Sequence, residues 1–268
     1  MRLASLLFSC ASAALASGAP SFCAAPGFTP EWADEFSALD PSSWTLSENT
    51  KPNDSSCREA ICTAGNVAVS GGALVLEARR EKVSWANFTT GAVNSKGKRS
   101  WGARAGAPVR ICISGTVPAA ADASSVSYWP AFWLMPDDAS CWPDHGELDL
   151  MEMINGDGIE HFTYHTSPSN ASTCHGGPVQ QSVGSKGPVA AGVPHEYAVE
   201  IAMGRFAFAV DGVVVFNSTS SELPVHDVKW YVILNFAIGL PWADSPTAAT
   251  RFPVRTTVDY VRVARGGA

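Results

Sequence analysis

The segment Asp144-His145-Gly146-Glu147-Leu148-Asp149-Leu150-Met151-Glu152-Met153 decides the fold of this chain. Glu147 and Asp149 alternate with Leu148 and Leu150. That is the period of a strand, so the acids share one face and the leucines the other. Strict alternation would then turn Glu152 into the core, where an unpaired carboxylate is strongly disfavoured. One extra residue at Leu150-Met151, a β-bulge, sends Met151 inward and returns Glu152 to the face of the other acids.

Working outward, strand patterns recur along the chain. Gly71-Gly72 separates Asn66–Ser70 from the apolar run Ala73–Ala78. Tyr197–Met203 alternates, and Arg205–Val210 leads through an Asp211-Gly212 turn into Val213–Phe216 as a hairpin. Lys229–Ala237 is rich in aromatic and β-branched residues, and Thr256–Ala264 alternates towards the end. No stretch holds a helical period over three turns. The expected class is all-β, with two stacked sheets burying the half-apolar strands. With 268 residues, 46% hydrophobic and 16% charged, the chain has apolar surface enough for one domain over residues 17–268. Its formal net charge of −7 argues against nucleic acid and against anionic membrane surfaces as partners.

Residues 1–16 read as a signal peptide. Met1-Arg2 is a short positive start, Leu3–Leu15 is apolar, and Ala14-Leu15-Ala16 is a small-x-small cleavage site. Beyond Cys10, the six cysteines Cys23, Cys57, Cys62, Cys112, Cys141 and Cys174 suit an exported chain with up to three disulfides, whose pairing stays open. Four sequons, at Asn53, Asn87, Asn170 and Asn217, agree with export. The expected location is extracellular or in a cell wall.

Three acids on one strand face repel each other, so stability alone would not select them. Chemically they are useful, because close carboxylates push their pKa values apart and leave one protonated and one ionised. A glycosidase needs such a pair: about 5–5.5 Å apart for retention of configuration, about 6.5–9.5 Å for inversion. The bland alternatives are a solvated strand face or a Ca²⁺ site. Aromatic neighbours weigh against both. Trp129 and Trp133, four apart in Tyr128–Leu134, share a strand face, and Trp142 sits beside the acids. Trp and Tyr rings stack on sugars while their polar edges stay wet. At least half of the nine tryptophans are expected in the core.

These residues resemble glycoside hydrolase family 16, in its laminarinase-like branch. The family's Glu-x-Asp-x-x-Glu signature is met by Glu147, Asp149 and Glu152. Trp32–Phe36 resembles its opening strand, Trp129–Leu134 its glucan-binding strand, and Tyr231–Ala237 and Val258–Val263 its closing strands. The resemblance implies a β-jelly-roll of two antiparallel sheets with a concave substrate cleft. It implies Glu147 as nucleophile, Glu152 as general acid/base and Asp149 as a proton holder between them. The substrate would be β-1,3-glucan or mixed β-1,3/1,4-glucan, cut internally. Trp129, Trp133, Trp142 and His165 would bind it. No cofactor is expected for catalysis, although Asp259 is a candidate ligand for a structural Ca²⁺. A monomer is expected. The Phe206-Ala207-Phe208-Ala209 stretch departs from the family's usual aromatic strand, and Arg104–Pro118 matches loosely.

Other readings remain in view. A glucan-recognition protein shares this fold but lacks the catalytic Glu residues, and both are present here. A wall-remodelling transglycosylase would use the same covalent intermediate. A sulfated galactan is disfavoured by the acidic chain with few basic residues near the acids. Zinc at His161 and His165 lacks a supporting motif.

Overall fold

The computed structural model describes residues 20–118, 122–138, 140–167, 180–186, 192–218 and 226–267. The expected signal peptide lies outside them, as do Asn170 and Cys174. Strands are numbered from the N-terminus. One sheet runs β15 (Val213–Asn217), β14 (Arg205–Val210), β13 (His195–Ala202), β8 (Val109–Thr116), β17 (Val254–Gly266), β5 (Ala73–Ala78), β4 (Val67–Ser70). In the same sheet β1 (Phe28–Asp34) pairs with the C-terminal half of β17. The second sheet runs β12 (Gln180–Lys186), β11 (Glu160–Thr166), β10 (Glu147–Met153), β9 (Tyr128–Pro136), β16 (Trp230–Ile238), β7 (Ala92–Asn94), β2 (Thr45–Leu46). Pairing within both sheets is antiparallel, the arrangement of a β-jelly-roll. A short parallel pair, β3 (Ile61–Cys62) with β6 (Thr89–Thr90), stands apart from them.

The core lies between the sheets because each strand offers one apolar face. Ile111, Ile113, Val199, Phe206, Phe208, Val261 and Val263 come from the first sheet. They meet Phe132, Leu134, Leu148, Leu150, Met151, Val232, Leu234 and Phe236 from the second. The Phe206–Ala209 stretch is therefore core. Both glycine-containing turns fall where the sequence places them, between β4 and β5 and between β14 and β15.

The tryptophans divide between the two faces of the second sheet. Five of the nine are buried, in line with the expected half or more; Trp44, Trp101 and Trp230 lie between the sheets, with Trp32 packed against them. Trp129 and Trp133 are buried on the opposite face of the second sheet. All nine residues of β16 are buried, so the outer face of that sheet is covered as well. Part of the cover is the loop closed by the Cys57–Cys62 disulfide. Ser56 O accepts from Asn235 Nδ2 at 3.0 Å, and Glu59 N donates to Ile238 O at 2.9 Å. A second disulfide joins Cys23 to Cys112, and Cys141 is also disulfide-bonded. Asn53, Asn87 and Asn217 are all exposed.

Candidate active site

The site grows from β10. Its partner β9 pairs Asp149 with Trp133 and Met151 with Phe132, which leaves Leu150 as the extra residue of a bulge. Leu148, Leu150 and Met151 all enter the core, and Glu147, Asp149 and Glu152 emerge on the other face. Gly146 makes the turn into this strand possible. Its φ of +97° is left-handed, and a Cβ there would come within 2.8 Å of the Tyr164 ring.

The acids are not a solvated face. Asp149 is 2% exposed and Glu152 is 9% exposed. Burial pushes the Glu147 carboxyl up to about 8, with the neighbouring Asp149 adding to the rise. Burial pushes Glu152 up to about 7, and Asp149 is driven well above the usual carboxylate range by burial and by the charge of Glu152. A hydrogen bond joins Glu147 to Asp149, so one of the two carries a proton. Asp149 is the deeper, which favours the proton there. His165, opposite Glu147 on β11, brings Nε2 to 3.2 Å from Asp149 Oδ2.

The predicted tryptophans hold these acids. Trp129 Nε1 donates to Glu152 Oε1 at 2.8 Å. Trp142 Nε1 donates to Glu147 Oε2, and its ring, 45% exposed, lies 6.0 Å from that of His165. Trp133 Nε1 donates instead to Asn235 Oδ1 at 2.6 Å, which fixes the ring as a wall beside Ala131, Tyr231 and Ile233. The indole N–H bonds from Trp129 and Trp142 to the acids are charge-assisted when the carboxylates ionise.

Two residues escaped the sequence reading. Arg58 stands with its guanidinium 4.9 Å from the Trp129 ring centre, and the charges of Glu147 and Glu152 act on it. The expectation of few basic residues near the acids is thus corrected at one position: the loop over β16 delivers a cation from far away in sequence. Trp242 is the other. It packs edge-on against Trp129 at 5.8 Å and against His161 at 5.0 Å, and it is 43% exposed. Nothing near Arg58 in sequence signalled a site, whereas Trp242 carried only its residue type. His161 and His165 point to different neighbours, Trp242 and Asp149.

Asp259 lies away from this group. It is the extra residue of a bulge in β17 and accepts a hydrogen bond from Ser114 Oγ at 2.9 Å. Among the described residues, it belongs to no cluster of three metal-ligating side chains, whereas Glu147, Asp149 and His165 bring one ligand atom each within 4.8 Å.

Two acids of raised pKa, Glu147 and Glu152, each held by an indole N–H, are suited to acid–base cleavage of a glycosidic bond. The comparisons agree. Residues 119–191 match the family model described as "XgeA-like, catalytic GH16 domain". The β-glucanase of Rhodothermus marinus is 29% identical over 263 residues, covering 90% of this chain and 86% of that protein. The solved laminarinase of Rhodothermus marinus superposes with a TM-score of 0.74 at 27% identity, covering 90% of this chain and 98% of that one. The laminarinase catalytic domain of Thermotoga maritima gives 0.73 at 25% identity, with 88% and 98% covered. In fold, in this signature and in these relatives, the chain is similar to glycoside hydrolase family 16.

Proposed function

We propose that this chain is a family 16 glycoside hydrolase, an exported endo-β-glucanase that cleaves β-1,3-glucan or mixed β-1,3/1,4-glucan with retention. The observation that carries the reading is the trio Glu147, Asp149 and Glu152 on one bulged strand, buried and held by Trp142, His165 and Trp129. The relatives named as β-glucanase and laminarinases support the substrate class. The apolar start of the chain and the exposed sequon asparagines support export.

In the first step Glu147, ionised, attacks the anomeric carbon and forms a glycosyl ester. Glu152 gives its proton to the departing glycosidic oxygen. The Trp142 N–H aims the Glu147 carboxylate, and Asp149 retains its proton against His165. In the second step Glu152, now ionised, takes a proton from water, which releases the sugar and restores Glu147. Trp129, Trp133 and Trp142 present indole faces to the glucan, and Arg58 supplies donors beside Glu147 and Glu152.

The test is release of reducing ends from laminarin by the wild type and by Glu147→Gln, both checked for folding and for laminarin binding. Release by the wild type, with a loss of about a thousandfold or more in the variant, is expected. Binding without release by either protein would turn the reading to glucan recognition.

A further inference from the structure

A cavity of about 600 Å³ opens away from the acids, at the end of the sandwich where the chain enters β16. Lys98, Arg99, Arg104, Lys229 and Arg265 line it, against the two acids Glu31 and Asp227. Its wall therefore carries a positive excess in a chain whose formal net charge is −7. Three of these cations are held in place. Arg265 is paired with Glu31 at 2.7 Å, Lys98 donates to the carbonyls of Pro41 and Trp44, and Arg99 donates to Ser43 Oγ. Arg104 and Lys229 are exposed, and neither makes a salt bridge among the described residues. Half-buried Trp32, 5.0 Å from the ring of Trp101, adds an aromatic surface to the same wall.

We propose that this cavity binds an anionic saccharide, one bearing sulfate or carboxylate groups, at a site separate from the catalytic acids. Uncompensated Arg104 takes the anionic oxygens in pairs through its planar fork, and Lys229 meets them as a point charge. The Trp32 ring faces the apolar side of a sugar. A neutral glucan has nothing to offer the positive excess. The site lies close to the cleft in sequence, since Lys229 precedes by two residues Tyr231, whose ring stands on the face of the acids. An enzyme anchored here would work on neutral glucan while held to an acidic polysaccharide.

The experiment is titration calorimetry at low salt with a heparin-derived hexasaccharide, a densely sulfated and carboxylated probe. Wild type should bind it, and the double variant Arg104→Glu, Lys229→Glu should bind about tenfold more weakly or worse. Its hydrolysis of laminarin should be unchanged. Neutral laminaritetraose should not compete. Absence of binding by wild type, equal binding by the double variant, or competition by laminaritetraose would overturn the proposal. So would an equal loss in the control Lys51→Glu, Lys82→Glu, which alters net charge by the same amount elsewhere, or equal affinity for a dT hexamer.

Discussion

At the scale of single residues, the protons on three carboxylates govern the chemistry. In the proposed mechanism the productive form has Glu147 ionised and Glu152 protonated. Burial puts Glu147 at about 8 and Glu152 at about 7, so this form is the lesser of the two singly protonated ones near neutrality. The profile of kcat/KM against pH should be a narrow bell with limbs near those two values, which belong to the coupled site as a whole. A flat profile between about pH 6 and 9 would show that the pair does not control turnover. The indole of Trp142 has a separable role. Trp142→Phe keeps a ring and loses the N–H that Glu147 receives, so kcat should fall by about 10–100-fold. Loss of binding with kcat unchanged would make the ring a sugar platform only. The acids themselves were legible in sequence, because period two and the apolar partner residues fix their face. Arg58 was not, since no local pattern distinguishes an arginine in a loop that later crosses a sheet.

At the scale of elements, the bulge in β10 is what turns a strand into a site. Deleting Leu150 would restore regular alternation with Met151 inward and Glu152 still on the acid face, but it would remove a buried core side chain and the bulge that sets Glu152's spacing from Glu147. Such a deletion should lower kcat by re-spacing Glu152 and lower stability by about 2 kcal/mol or more through the lost core side chain, read by denaturant unfolding. Strand β9 makes a second prediction. Trp133 stands on the outer face with its N–H on Asn235, so Trp133→Ala should weaken laminarin binding about tenfold or more and cost less stability than the roughly 3–5 kcal/mol of a core tryptophan. Equal binding would make the ring structural. The bulge could be read from sequence because an unbulged strand buries an acid. The burial of Trp129 and Trp133 on the outer face could not, since alternation says which residues share a face but not what covers it.

At the scale of the whole molecule, the trio charges the folded state with a pH dependence. Their native pKa values lie above the ordinary 4.5 or 3.8, so the folded protein binds more protons than the unfolded chain as pH rises from about 4 to 8. Stability contributed by these groups is complete at the acidic end of that window and is lost towards its alkaline end. Thermal unfolding across it should show a smaller decline for Glu152→Gln than for the wild type. The Cys23–Cys112 bridge spans 89 residues and ties the N-terminal segment to β8, far from the acids. Cys23→Ser with Cys112→Ser should cost about 2–5 kcal/mol and leave kcat intact in the folded enzyme. A lower kcat with full folding would mean that the first sheet communicates with the second.

Residue order alone determined the all-β class, the hairpins at Gly71-Gly72 and Asp211-Gly212, and the common face of Glu147, Asp149 and Glu152. Each of these is set by near neighbours, through a period of two and through turn residues that accept unusual φ. Tertiary structure decided what those near neighbours cannot see. It chose Cys112 as the partner of Cys23, laid Arg58 over Trp129, set Trp242 against the same ring, and gathered Lys98, Arg104, Lys229 and Arg265 around one cavity. The physical reason is that these contacts join segments brought together only when two sheets close on a shared core, and the burial that results sets the acids' protons as well.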